Sequence, residues 1–254
     1  MKLNARKVVC QCMLALGVAA ALVTSASAQQ GTIQSVTFYT VKPDRVGDFQ
    51  AEIKELNALY AKGGSTNYAS MWVSLTGQRV YVRASYYKTW AELDAGPDPK
   101  LKDEAADVAR VGARIIDCTE SWRRLIAEVQ PDLSIPATEF PKMIRVLTTD
   151  VRPDKYKEYL AVVKSDILPA AQKGGLKLYE FSESRYGASN SQVSSIVAVD
   201  KWADFDGEFG IEKVLGKEGY EALRDKIRPL ITHSEADVYR FLPDISYLPA
   251  APAK

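Results

Sequence analysis

Histidine and cysteine are nearly missing from this chain of 254 residues, which has one histidine, His233, and three cysteines, Cys10, Cys12 and Cys118. A zinc or copper centre built on several imidazole or thiolate ligands is excluded on that ground, and no metal is expected. Neither a Gly-rich phosphate loop, a nucleophile elbow nor a cluster of metal-binding carboxylates is found, so the motifs of P-loop and α/β-hydrolase enzymes are absent. Charge is almost balanced, with 33 basic and 32 acidic residues. The concentrated basic surface that nucleic acid requires is lacking, and nucleic acid is not an expected partner. Beyond the first residues no apolar run is long enough to cross a bilayer.

What is present at the N-terminus reads as an export signal. Lys2, Arg6 and Lys7 are followed by an apolar stretch from Met13 to Val23 and by Ala26-Ser27-Ala28, a small-x-small cleavage site. Residues 1–28 are therefore expected to be a signal peptide removed after Ala28, with the mature chain periplasmic or secreted and not bound to the membrane. Cleavage takes away three basic residues and no acidic ones, turning the formal charge of +1 into a small negative one. It also removes two cysteines. Cys118 alone remains, which forbids an intramolecular disulfide despite the oxidising destination. Stability must come from packed cores.

The chain says nearly the same thing twice. Val41-Lys-Pro-Asp-Arg-Val-Gly-Asp-Phe49 returns as Val151-Arg-Pro-Asp-Lys-Tyr-Lys-Glu-Tyr159, Lys62-Gly63-Gly64 as Lys173-Gly174-Gly175, and Trp90-Ala-Glu-Leu-Asp94 as Trp202-Ala-Asp-Phe-Asp206, at offsets of 110, 111 and 112. That period is too long for a solenoid and has the length of a small domain. Each copy reads strand, helix, strand, strand, helix, strand. In the first, Val36–Val41 is rich in β-branched and aromatic residues. Val46, Phe49, Ile53, Leu56 and Tyr60 then mark one helical face, and Gly63-Gly64 stops the helix. Tyr68–Leu75 and Val80–Tyr87 form a hairpin, a second helix covers Lys102–Asp117, and Ser121–Val129 is the last strand. In the second copy the expected strands are Ile144–Val151, Leu176–Tyr186, Gln192–Val199 and Asp237–Leu242. The first helix is bent or ended by Pro169, and the second covers Lys217–Thr232. The spacing thus predicts two repeats, 31–134 and 142–247, a Pro-rich linker over 135–141 and a disordered tail over 248–254.

The order β-α-β-β-α-β is that of the ferredoxin-like split βαβ unit. The stretch Tyr86-Tyr-Lys-Thr-Trp-Ala-Glu-Leu-Asp-Ala-Gly-Pro-Asp-Pro99, with the opening Val-x-Pro-Asp of each copy, resembles the dimeric α+β-barrel superfamily, in particular antibiotic-biosynthesis monooxygenase-like and NIPSNAP-like domains. The resemblance implies an α+β fold in which two tandem ferredoxin-like halves pack sheet to sheet as an intramolecular pseudo-dimer, monomeric in solution. It also implies a pocket for a small-molecule ligand, without a cofactor. Cofactor-independent monooxygenation of a small aromatic substrate, or binding of haem, is the alternative that the superfamily offers.

Candidate site residues come from neighbouring strands. Tyr39, Tyr68, Trp72, Tyr81 and Arg83 in the first copy, and Thr149, Tyr179, Glu180 and Phe181 in the second, supply the aromatic lining with a few polar groups that a small-molecule pocket needs. The same residues could instead fill the seam between two sheets. Arg83 stands out because a buried guanidinium needs an acceptor. His233 reads as a polar residue in a helix-to-strand turn, with general base or haem ligand as its functional alternatives. Cys118 at a helix C-terminus beside Asp117 reads as structural, since both neighbours oppose a thiolate. The recurring Trp90 and Trp202 read as packing residues. Intact-mass measurement of the protein recovered from its export host is expected to show a chain starting at Gln29; a chain retaining Met1 at the membrane would refute the signal reading.

Overall fold

In the computed structural model of the protein, residues 31–94, 98–137 and 139–248 are described; the expected signal peptide and the tail from 249 lie outside them. Alternation of side chains along eight strands sets the architecture. β1 (Ile33–Val41) leads through a Pro43–Arg45 turn into α1 (Val46–Lys62), followed by β2 (Ala69–Ser74), β3 (Tyr81–Tyr87), the single turn α2 (Ala91–Asp94), α3 (Ala105–Asp117) and β4 (Thr119–Val129). The pattern then recurs with β5 (Met143–Val151), α4 (Tyr156–Val162), α5 (Leu168–Lys173), β6 (Tyr179–Tyr186), β7 (Gln192–Val199), α6 (Glu212–Ile227) and β8 (Ile231–Phe241). The helix-stopping glycines behave as expected. Gly64 and Gly175 take φ of +68° and +63°, which only glycine adopts without strain.

The strands form one closed antiparallel barrel in the order β1-β3-β2-β8-β5-β7-β6-β4. Read as two runs of four, this is β4-β1-β3-β2 and β8-β5-β7-β6, the same permutation twice. Two seams join the runs: β2 to β8 through Trp72↔Phe241 to Ser74↔Tyr239, and β4 to β6 through Ile126↔Tyr186 to Val129↔Ser182. The expected face-to-face packing of two sheets therefore takes a different form. Their edges are hydrogen-bonded to each other, which removes every free edge, and their inner faces enclose a cavity.

Helices cover the outside. Phe49, Ile53 and Leu56 of α1 and Val111 and Ile115 of α3 pack on Tyr39, Met71, Val73 and Tyr81. Tyr159, Val162, Val163, Ile167 and Leu223 do the same on Tyr179, Phe181, Val193 and Val197. Pro169 does not end its helix. A π turn over Val163–Ile167 widens the ladder just ahead of it, and the helix continues to Lys173. α6 begins before the expected Lys217, but its first turn is broken at Gly216, whose φ of +66° and ψ of 172° are non-helical. The helix also ends earlier than expected. Pro229 lies in a short 3-10 turn, Arg228–Leu230, and β8 starts at Ile231 rather than Asp237 because it stays paired to β5 along its whole length.

A further repeat emerges from the seams. Pro131-Asp-Leu-Ser134 and Pro243-Asp-Ile-Ser246 form matching 3-10 turns, and each straps the opposite run of strands. The Ser134 hydroxyl accepts from Phe181 N at 3.0 Å, and the Ser246 hydroxyl accepts from Met71 N at 2.8 Å. Ile135 pairs with Tyr179, and Tyr247 with Ala69. The first residues of the expected linker thus belong to the barrel.

Trp90 and Trp202 correct their expectation. They are 41% and 52% exposed, touching Tyr186 and Phe205 edge-on or tilted at 5.9 and 5.7 Å. Both stand just past the end of a hairpin strand, Trp90 after β3 and Trp202 after β7. Trp202→Ala is accordingly expected to cost no more than about 1 kcal/mol, whereas Phe181→Ala, at a fully buried position, should cost about 3–5 kcal/mol; chemical denaturation of the two variants checks the contrast.

Candidate functional site

Residues of one strand phase point into the barrel. Gln34, Val36 and Phe38 of β1, Ser70 and Trp72 of β2, Val82, Ala84 and Tyr86 of β3 and Leu125 of β4 meet Ile144, Val146, Glu180, Ser182, Ser194, Ile196 and Tyr239 across a cavity of about 710 Å³. That is the size of a small-molecule site. Part of its lining is aromatic: Phe140 lies 5.9 Å from Trp72, ring centre to ring centre, Tyr68 adds a tilted contact with Phe140 at 5.8 Å, and Phe241 backs the group at 4.5 Å from Phe140. Trp72 is fixed by donating its indole N–H to the Ser70 hydroxyl at 3.0 Å.

Four carboxylates stand in this lining, Glu139, Glu180, Glu235 and Asp237, and Glu180 is the one bonded to Gln34 and Tyr86. Glu180 Oε1 accepts from Gln34 Nε2 at 3.2 Å, and the Tyr86 hydroxyl lies 3.2 Å from Oε2 and 3.4 Å from Oε1. Gln34 Nε2 also donates to the Tyr86 oxygen at 2.7 Å. Glu180 and Tyr86 are both half-buried and both line the cavity. Burial pushes the Glu180 carboxyl up to about 7, against the hydrogen bonds from Tyr86 and Gln34, which favour its charged form. Burial and the neighbouring Glu180 charge hold the Tyr86 phenol well above its ordinary range. The Tyr68 ring meets Tyr86 edge-on at 6.0 Å, and its buried hydroxyl has no hydrogen-bond partner among the described residues. The triad crosses a seam, with Gln34 and Tyr86 from the N-terminal run and Glu180 from the C-terminal run. The seryl straps on Met71 and Phe181 make Ser70 the positional counterpart of Glu180, so the acid occurs on one side of the barrel only. At the other end of the cavity Arg123 stacks on Phe38 at 3.8 Å, near Asp237 and Glu235.

The barrel sorts the sequence candidates by strand phase. Tyr68, Trp72 and Glu180 line the cavity. Tyr39, Tyr81, Tyr179 and Phe181 do not. They are buried on the opposite face, under the helices, because a shift of one residue along a strand moves a side chain to the other side of the sheet. Arg83 also faces outward, with its guanidinium 5.4 Å from the Tyr60 ring. Thr149 is buried opposite Ser234. His233 is no turn residue: it is exposed within β8, opposite Asp150, and is not among the residues lining the cavity. Cys118 is buried, with its thiol pushed up by burial and touched by Arg45 Nη2 at 3.6 Å. Gln34 and Tyr86 escaped the sequence reading. The signal for them was Glu180 itself, a carboxylate in a strand that needs neutral donors across the barrel.

For a haem, the cavity lining offers no imidazole, thiolate or thioether, and the one histidine is elsewhere on the surface; the phenols of Tyr68, Tyr86 and Tyr239 are the haem-ligand type that it does hold. Among the described residues no group of three or more His, Cys, Asp or Glu is placed to hold a metal ion, and no helix is long and apolar enough to cross a membrane.

No protein-family profile matches the chain, and no curated protein matches it in sequence. Solved structures do. A proposed monooxygenase from Fusobacterium nucleatum subsp. nucleatum superposes with a TM-score of 0.59 at 14% identity, over 83% of this chain and 92% of the other. An anthrone oxidase-like protein gives 0.58 at 15% identity, over 90% and 98%. A mutant chlorite dismutase from Candidatus Nitrospira defluvii gives 0.52 at 8% identity, over 86% and 94%. The fold shared with these proteins is that of the dimeric α+β barrel, a mixed α+β architecture around eight strands.

The raised carboxyl has a consequence for stability. Because Glu180 titrates near 7 in the folded chain and at 4.5 when unperturbed, the folded state holds its proton more tightly. Its contribution is most favourable below about pH 4.5 and is lost as pH rises through 7. Glu180→Gln should therefore gain on the wild type by about 3 kcal/mol between pH 4.5 and pH 8. Paired urea titrations across this range check it, and a constant difference would refute it.

Proposed function

We propose that this chain is an exported small-molecule-binding barrel whose cavity takes a compact, largely aromatic ligand, and that Glu180 acts there as a proton acceptor in cofactor-independent oxygenation. The observation that carries the reading is Glu180, enclosed by an aromatic cavity, held by Tyr86 and Gln34 and poised near 7. A general base works best when its pKa lies close to the working pH. A ligand with an acidic C–H or O–H placed against Glu180 would lose that proton, and the unpartnered Tyr68 hydroxyl would hold the developing oxyanion. The resulting anion is electron-rich enough to react with oxygen directly. For a methylene flanked by aromatic rings the balance is R₂CH₂ + O₂ → R₂C=O + H₂O, and no outside reductant is needed. The likeness to a proposed monooxygenase and an anthrone oxidase-like protein supports this class of chemistry.

The same reading takes the barrel as a fused pseudo-dimer of two ferredoxin-like repeats, 31–134 and 142–247, monomeric in solution. The repeated strand order and the paired Pro-Asp-Leu/Ile-Ser straps support it. Gene fusion lets the two sides diverge, and Glu180 standing where the other run of strands has Ser70 fits one retained site. Export with cleavage after Ala28 completes the proposal.

Oxygen uptake with an anthrone-type or electron-rich phenolic compound tests it. Wild-type protein should consume one O₂ per ligand, with a rate that rises with pH to a plateau above about 7. Glu180→Gln should lose a factor of 10²–10⁴ in rate while ligand still quenches Trp72 fluorescence. Quenching without oxygen uptake in the wild type would leave a binding protein and refute catalysis.

A further inference from the structure

Outside the barrel, on the face that carries Tyr39, lies a second and chemically opposite pocket. It is small, about 110 Å³, and is lined by Ser35, Thr37, Tyr39, Tyr60, Asn67, Ser85, Tyr87, Arg83 and Arg124 together with Tyr68 and Ala69. The lining holds two cations, a set of hydroxyls and one amide, and no carboxylate. The strand register explains the convergence. Thr37 of β1 is paired with Arg83 of β3 on one side and Arg124 of β4 on the other, so the two guanidiniums flank one threonine on the same face of three adjacent strands. Ser35 opposite Ser85 extends the row.

Neither arginine is neutralised within the chain. Among the described residues, neither Arg83 nor Arg124 makes a salt bridge or a side-chain hydrogen bond, although fourteen other ion pairs are formed. Arg83 Nε is buried without a partner, a costly state for a charged donor. Its one aromatic contact, over the Tyr60 ring at 5.4 Å, leaves the donors in the guanidinium plane unused. Both cations are felt inside the pocket, since each lowers the phenols of Tyr39 and Tyr87 against the stronger effect of burial.

We infer that this pocket is a binding site for a compact oxyanion of the phosphate or sulfate type, held by Arg83 and Arg124 with hydroxyl donors from Thr37, Ser35 and Ser85. Planar guanidiniums suit such oxygens. A volume of 110 Å³ corresponds to roughly three or four water molecules at about 30 Å³ each, enough for one tetrahedral anion and too little for the aromatic ligand of the barrel. Tyr68 lines both cavities, so a bound anion would touch the wall of the central site. The inference does not depend on the reading of Glu180.

Thermal unfolding with inorganic phosphate tests the site, using sodium chloride at matched ionic strength as the reference and sulfate and acetate as further probes. Phosphate is expected to raise the Tm of the full chain by a few degrees at about tenfold excess over its dissociation constant. Arg83→Gln and Arg124→Gln should each weaken the effect tenfold or more, and Glu180→Gln should leave it intact. Arg124 is exposed, so its variant keeps the test decisive if Arg83→Gln does not fold. A response to acetate with none to phosphate would overturn the tetrahedral assignment. A rise that is equal in wild type and Arg124→Gln would be a general salt effect, and it would overturn the site, as would no rise at all.

Discussion

Everything in this molecule depends on two short edge pairings. β2 meets β8 over three residue pairs and β4 meets β6 over four. Without them each four-stranded sheet would present free edges and an inner face of Val36, Trp72, Val82, Leu125 and Ile144 to water. With them the chain closes on itself, and the space between the inner faces becomes an interior. Eight strands enclose an interior that side chains can just fill or that can hold one small ligand, and here the inner faces leave about 710 Å³ open.

Closure also sets the electrostatics. Glu180 lies on the inner phase of β6, where bulk water is replaced by aromatic rings, and its carboxyl rises to about 7. On a solvated sheet the same residue would be an ordinary surface acid. Gln34 and Tyr86, reaching across the seam, give it hydrogen bonds without a countercharge. A cationic partner would have held it ionised and idle as a base. The outer pocket has the reverse logic, with paired arginines and no acid.

Much of the fold could be read in advance, because it rests on local patterns. The repeated Val-x-Pro-Asp openings, the Gly-Gly stops and the strands expected over Ile144–Val151 and Gln192–Val199 each mark an element whose existence the structure bears out. Pro-Asp-Leu-Ser134 and Pro-Asp-Ile-Ser246 carried an equally clear repeat that was overshadowed by the prolines of the linker. The site was less legible because both strand phases are buried in a helix-covered barrel. Tyr179, Glu180 and Phe181 all look like pocket residues, yet the helices take the two aromatics and the cavity takes the acid. Alternation says that neighbouring residues part company; it does not say which phase faces inward. His233 was misplaced for a related reason, since only the length of the β5–β8 ladder shows that the strand begins at Ile231.

The two straps bear on how the chain holds together in time. Pro131–Ile135 is the exit from β4 yet is bound to β6, and Pro243–Tyr247 is the exit from β8 yet is bound to β2. Each side of the barrel thus keeps a finger of itself laid across the other, like two hands clasped with crossed thumbs. Prising one seam apart strips a strap from the other side's sheet: the Phe181 amide at the β4–β6 seam, or the Met71 amide at the β2–β8 seam, loses its seryl acceptor together with the strand pairing. Each seam thus carries two kinds of bond, strand pairing and strap, that have to be given up together before the interior can open along it.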